Sequence, residues 1–241
     1  MAGSEDHLRL PLTAPMKQLL KKLLFPGPPT FRRIGFGLGR GIIMRLNLQN
    51  QMQRFLGLDE RELAGHFRRG LAFARSAVDV GANDGYYTLI FLQSPVTRVV
   101  ACEPGEVVEQ LKENAAVNGH AVGPRLQVER RLIGGQPGQI SLRELIDDLP
   151  KPVLIKMDID GGEVDALASA AGLTGLKDTF WIVETHSIAL ERECLQWFAA
   201  RGMKATIVDA AWWRIFIPEL RPTEQNRWLI AEAPRSATLH D

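Results

Sequence analysis

In the run Ala77-Val78-Asp79-Val80-Gly81-Ala82-Asn83-Asp84-Gly85-Tyr86-Tyr87-Thr88 an apolar strand leads through a glycine-containing turn into a helix. That succession aims backbone N–H groups and the positive helix end at the strand's C-terminal edge, a place suited to a nucleotide-like or carboxylate-bearing ligand. A dinucleotide fingerprint places glycines as G-x-G-x-x-G, but here Asn83 takes the second glycine's place and bulky Tyr86 the third's. Asp79, two residues before Gly81, would repel a pyrophosphate and accept from an ammonium group. The expected cofactor is therefore S-adenosyl-L-methionine rather than NAD.

A second acid follows in Val99-Val100-Ala101-Cys102-Glu103-Pro104, with Glu103 22 residues after Gly81. An acid at the tip of the second strand accepts from ribose hydroxyls in both cofactor classes, so Glu103 supports a ribose without choosing between them. The alternative is an acid at a helix start ahead of Pro104.

The third constellation is Ile155-Lys156-Met157-Asp158-Ile159-Asp160-Gly161-Gly162-Glu163. Strand alternation puts Lys156, Asp158 and Asp160 on one side and the apolar residues on the other. Charges in a buried strand need partners. If the strand ending Val183-Glu184-Thr185-His186 is the neighbour, Lys156 pairs with Glu184, while Asp158 and His186 converge at the ligand edge. Lys156, Asp158 and His186 are accordingly the candidate catalytic residues. Glu163 serves either this group or the start of the next helix. The His, Asp and Glu spacing matches no standard metal site, and no metal is expected.

The elements that must position these groups are short apolar runs alternating with helical stretches from residue 76 onward. Strands are expected at 77–80, 98–102, 126–128, 153–157 and 180–185, with helices at 86–92, 106–118, 162–171 and 189–201. The third crossover is interrupted by Gly134, Gly135, Pro137 and Gly138 before a short helix at 141–149. Such alternation implies an α/β, doubly wound sheet. Late runs at 212–217 and 227–231, with no helix between, read as an antiparallel pair at the sheet edge; Trp212 and Trp213 there are expected to pack in the core.

Residues 1–75 read as an extension: a short basic amphipathic helix through Met16, Leu19, Leu20, Leu23 and Leu24, a hairpin from 34–36 and 42–48, and a helix over 51–71. The net charge of +1 hides a division. Residues 1–75 hold 13 Lys/Arg against 5 Asp/Glu, and residues 76–241 hold 16 against 23. The balance excludes a polyelectrolyte, and no nucleic-acid partner is expected. Two cysteines exclude a disulfide framework, and no run approaches the roughly 20 apolar residues of a membrane span. A cytoplasmic protein is expected, with peripheral membrane contact open to the basic helix.

At these motifs the sequence resembles the FkbM family of S-adenosylmethionine-dependent methyltransferases, over about residues 76–190. The likeness lies in the turn Val78 to Gly85, Glu103-Pro104, the helix end from Asn114 to Asn118, Ser141-Leu142-Arg143-Glu144-Leu145, Lys156 to Glu163 and Glu184-Thr185-His186. Asp160 stands where the family's Glu is expected and Gly162 where Ala is expected. The resemblance implies a seven-stranded Rossmann-like methyltransferase sheet with its last strand antiparallel, forming a domain over 76–241. It implies that Asp79, Gly81, Ala82, Asn83, Gly85 and Thr88 hold the methionine part of the cofactor, that Glu103 with Pro104 holds the ribose, and that Arg130 or Arg131 lies near the adenine. O-methylation of a small molecule or sugar hydroxyl, with His186 or Asp158 as general base, is the expected activity. The competing expectations are a non-catalytic cofactor-binding module that docks a partner through its basic leader, and an NAD-linked oxidoreductase.

Overall fold

Strands buried on both faces must be apolar throughout except where a charge has a function or a partner. Four such segments, with a fifth and less buried strand at the edge, form the parallel part of the sheet in the computed structural model, which describes residues 25, 27–211 and 227–234. In chain order the strands are β1 (Thr30–Arg33), β2 (Ile43–Leu46), β3 (Ser76–Val80), β4 (Arg98–Cys102), β5 (Leu126–Glu129), β6 (Val153–Met157), β7 (Thr179–Thr185), β8 (Lys204–Val208) and β9 (Arg227–Glu232). The helices are α1 (Leu48–Phe55), α2 (Ala64–Phe73), α3 (Tyr86–Leu92), α4 (Val108–Val117), α5 (Leu142–Ile146), α6 (Glu163–Ala168) and α7 (Ile188–Ala199).

The main sheet has seven strands in the order β5-β4-β3-β6-β7-β9-β8. β3 to β7 are mutually parallel, and β9 runs antiparallel to both its neighbours. The expected doubly wound, Rossmann-like sheet with its last strand antiparallel is thus observed. The order reverses between β3 and β6, where chains leave in opposite directions and open a crevice beyond the strand ends.

Alternation along the strands divides the core in two. Val78, Val80, Ile155, Met157, Trp181 and Val183 pack with α5, α6 and α7 on one face. Ala77, Leu154, Phe180 and Ile182 pack on the other with α3, α4 and the N-terminal elements, through Ile34, Ile42, Met44, Leu46, Leu63 and Phe67. The N-terminal segment therefore completes the core of the sheet's second face. Gly70 of α2 makes the approach close: a Cβ there would stand 2.9 Å from Leu154 Cδ1 and 3.0 Å from a Phe180 ring carbon.

The small sheet β1-β2 is joined to the main body by side chains acting as a strand. Gln110, Asn114 and Asn118, four residues apart on one face of α4, meet alternate residues of β2. Asn118 accepts from Ile43 N–H at 3.0 Å and donates to its carbonyl at 2.6 Å. Asn114 accepts from Arg45 N–H at 2.8 Å, and Gln110 donates to the Arg45 carbonyl at 3.1 Å.

Three sequence expectations change. The single helix over 51–71 is α1 and α2 separated by a turn, because Gly57 and Glu60 take left-handed backbone conformations, with φ of 63° and 43°. The hairpin strands lie at Thr30–Arg33 and Ile43–Leu46, with Ile34 and Ile42 bonded at its closing end. The partner of β9 is β8 at Lys204–Val208, a mostly exposed edge strand whose composition gave little signal. The run at 212–217, with Trp212 and Trp213, and the amphipathic helix at residues 16–24 lie outside the described residues.

Candidate active site

The turn after β3 is fixed by close approach between β3 and its neighbours. Gly81 has φ of 78°, and a Cβ on it would stand 1.9 Å from the Asp158 carbonyl oxygen. The Gly81 and Ala82 N–H groups both donate to the Cys102 carbonyl, each at 3.0 Å. Asn83 is left-handed at φ of 48°, and Gly85 caps α3 with φ of 89°. Glu103 ties this turn to the next: one carboxylate oxygen accepts from Asn83 N–H at 3.0 Å and the other from Gly105 N–H at 2.7 Å, with exposed Pro104 between them.

Asp79 and Lys156 are register partners on adjacent strands, both buried, at the crevice end of the sheet. Thr88 donates to Asp79 Oδ2 at 2.6 Å, so Thr88 positions the carboxylate. Asp79 Oδ1 is buried and has no hydrogen-bond partner. Burial pushes the Asp79 carboxyl up from its ordinary range, while Lys156 and the Thr88 hydroxyl oppose the shift. An oxygen in this state fits an incoming ammonium group.

Lys156 Nζ lies 3.3 Å from Asp158 Oδ2 and 4.8 Å from the centre of the Tyr87 ring. Burial works against its charge, but the carboxylates of Asp158, Asp79, Glu60 and Glu184 outweigh it and raise the lysine above its usual value. The expected pairing with Glu184 is thus corrected: the hydrogen-bonded partner is Asp158, two residues along the same chain, and Glu184 acts on Lys156 only as a more distant charge.

Asp158 and His186 do converge. His186 is buried, and its Nδ1 lies 2.8 Å from Oε1 of the fully buried Glu163. This bond, with the charges of Asp158 and Asp160, raises the imidazole above its ordinary value even though burial pulls the other way. Nε2 stands 3.3 Å from Asp160 Oδ1, 3.6 Å from Asp158 Oδ1 and 3.7 Å from Glu184 Oε1. Glu163, open to two roles in the sequence, orients the histidine.

The N-terminal elements add a group that the sequence motifs did not reveal. Tyr87, stacked on Phe67 of α2 with centroids 4.5 Å apart, donates its hydroxyl to Glu60 Oε2. Burial and the neighbouring Asp59 charge push the Glu60 carboxyl up to about 7. Arg54 of α1 grips both oxygens of Asp84 in the turn after β3 at 2.7 Å, bonds Asp59 at 3.0 Å, and covers the Tyr86 ring at 4.8 Å. A glycine-bounded acidic turn between two amphipathic stretches was the available signal for Asp59 and Glu60, and a helix drawn through it hid them. Arg131 bonds Glu129 through Nε at 2.9 Å, and Arg130 bonds Glu106 at 2.9 Å; both are exposed beyond β5.

No family model matches the chain, and no curated protein matches its sequence. Solved structures do match its fold. The methyltransferase FkbM of Methylobacillus flagellatus KT aligns with a TM-score of 0.53 at 18% identity, over 66% of this chain and 44% of that one. An rRNA methylase of Streptococcus thermophilus aligns with a TM-score of 0.51 at 10% identity, over 73% of this chain and 98% of that one. The fold is the Rossmann-like methyltransferase fold. Identities this low carry the fold alone, so the chemistry has to be argued from the side chains at its crevice. Within this methyltransferase fold, Asp79 and Glu103 occupy the ends of β3 and β4, and Asp158 and His186 follow the ends of β6 and β7.

Proposed function

We propose that the chain is an S-adenosylmethionine-dependent O-methyltransferase of a small molecule or sugar hydroxyl. The observation that carries this reading is Asp79 Oδ1, a buried carboxylate oxygen without a partner beside a left-handed glycine turn. It suits the cofactor's ammonium group and opposes a pyrophosphate. Asp79, Gly81, Ala82, Asn83 and Gly85 would hold the methionine part, with Thr88 fixing Asp79. Glu103 would take the ribose by exchanging one of its two backbone bonds for a hydroxyl. Arg131, exposed beyond β5 and bonded to Glu129, is assigned to the adenine side.

The cofactor supplies an already activated methyl group, so the protein's task is to place the acceptor and manage its proton. Asp158 and His186 are assigned to the acceptor hydroxyl, to hold it and take its proton. Lys156 positions Asp158, and Glu163 positions His186. The excess of acid over base in residues 76–241 favours a small acceptor over a polyanion such as RNA. A cytoplasmic setting accords with Cys102 and Cys194, both free and buried. Among the described residues no helix is long and apolar enough to cross a membrane. The domain is taken as 76–241, preceded by a basic extension over 1–75 whose residues from Ile34 to Phe67 contribute to its core.

Calorimetric titration with S-adenosylmethionine and S-adenosylhomocysteine tests the reading. Saturable binding is expected, and Asp79→Asn should weaken it by roughly 10- to 150-fold, the worth of about 1.5–3 kcal/mol for a bond to a charged group. Tight binding of NADH with none of S-adenosylmethionine would overturn the proposal. Binding without S-adenosylhomocysteine production across hydroxyl acceptors would favour a non-catalytic module.

A further inference from the structure

Four carboxylates, those of Asp158, Asp160, Glu163 and Glu184, lie within 3.7 Å of the ring nitrogens of one buried histidine. The histidine's two nitrogens are in different states. Nδ1 is engaged by Glu163, whereas Nε2 is buried, has no hydrogen-bond partner, and points at three acidic oxygens. With Nδ1 held by Glu163, the ring is oriented so that Nε2 faces those oxygens. An imidazole nitrogen and several carboxylate oxygens gathered at one buried point are the donor types that ligate a divalent cation.

We infer that Asp158, Glu184 and His186 form a site for one divalent cation of the Mn2+ or Zn2+ class, with Asp160 at its rim. The three ligand atoms lie within 4.8 Å of one another. Donors bound to a common ion at about 2.1 Å and at right or tetrahedral angles stand roughly 3.0–3.4 Å apart. The 3.6 and 3.7 Å separations of Nε2 from Asp158 and Glu184 need only small inward movements to reach that range, and the two carboxylates close on each other from within 4.8 Å by side-chain rotation. The surroundings fit as well. A histidine ligand ordinarily gives its other ring N–H to a carboxylate, which fixes the tautomer, and Glu163 at 2.8 Å is that carboxylate. Asp158 divides its two oxygens: Oδ2 takes Lys156, and Oδ1 faces Nε2. One imidazole nitrogen among carboxylates selects ions that accept both nitrogen and oxygen over an all-oxygen ion such as Ca2+. Since Glu184 and His186 sit at the end of one strand and Asp158 beyond another, linear spacing could not reveal the site.

A bound cation would lower the pKa of a hydroxyl coordinated to it. Asp158 and His186 would then act on the acceptor through the ion instead of taking its proton directly. That role rests on the methyltransferase reading; cation binding itself does not.

The test is titration of the chelator-treated full chain with MnCl2 in the absence of S-adenosylmethionine, following free Mn2+ by electron paramagnetic resonance. One ion per chain is expected, displaceable by Zn2+, with uptake lost in His186→Ala. Glu163→Gln, which removes only the orienting charge, should weaken uptake by about 10- to 100-fold. Because variants of buried charges can unfold, Zn2+ is also added to the unaltered chain while its histidine ring nitrogens are observed by NMR. A shift of His186 Nε2 saturating at one equivalent supports the site. No stoichiometric uptake, uptake unchanged in His186→Ala, or a His186 that stays doubly protonated in the presence of Zn2+ would overturn it. Since the cofactor is left out, failure here leaves the S-adenosylmethionine titration standing, and the converse holds.

Discussion

Glu60 shows how one residue far from every sequence motif comes to bear on the site. Its carboxyl sits between the Tyr87 hydroxyl and the charges of Asp59, Lys156 and Asp158, and burial raises it from its ordinary 4.5 to about 7. A carboxyl raised in the folded state binds its proton more tightly folded than unfolded, so it favours folding at low pH. That contribution is full below about pH 4.5 and fades as pH rises toward 7. Glu60→Gln keeps the shape and removes the titration. Melting temperatures of the two proteins should therefore diverge in favour of the variant as pH rises from 5 to 8; parallel curves would refute the assignment. Asp79, Glu103, Asp158 and His186 were legible because each lies at or just past the end of an apolar strand, where a charge is conspicuous. Glu60 was not, since its proximity to Lys156 depends on how α1 and α2 dock. At this scale Lys156→Met is the severe change. It strips the cation from Asp158 and Asp79 in a buried setting, and a loss of about 3–5 kcal/mol is expected from chemical denaturation.

Among the elements, α4 carries two duties. Its N-terminal approach follows Glu103, and its far end binds β2 through Asn118 and Asn114. Asn118→Leu should cost about 1–3 kcal/mol, because it leaves both backbone groups of Ile43 without their partner. Asn118→Asp keeps an acceptor for Ile43 N–H and loses the donor to its carbonyl, so it should cost less; urea denaturation ranks the two. The parallel strands β3, β4, β6 and β7 were readable as apolar runs because both their faces are covered. β8 was not, since an edge strand with exposed Lys204 has little burial to advertise. The more apolar run at 212–217 drew the assignment instead.

Across the whole molecule, the division at residue 75 is one of charge and sequence pattern more than of packing. Phe67, fully buried, stacks on Tyr87 and touches Phe91, joining α2 to α3. Phe67→Ala should destabilise the chain by about 3–5 kcal/mol. It should also disturb Tyr87 and Glu60, so cofactor affinity and stability should fall together, measurable by titration and melting of the same sample. The small sheet has a further consequence for behaviour in solution. A two-stranded ribbon offers two rows of backbone groups to any passing strand. The amides of Gln110, Asn114 and Asn118 occupy the row on β2, while β1, exposed along its length, carries Arg32 and Arg33. One side is closed by chemistry and the other by repulsion, so two copies of the ribbon are kept from zipping into a shared sheet and starting an aggregate.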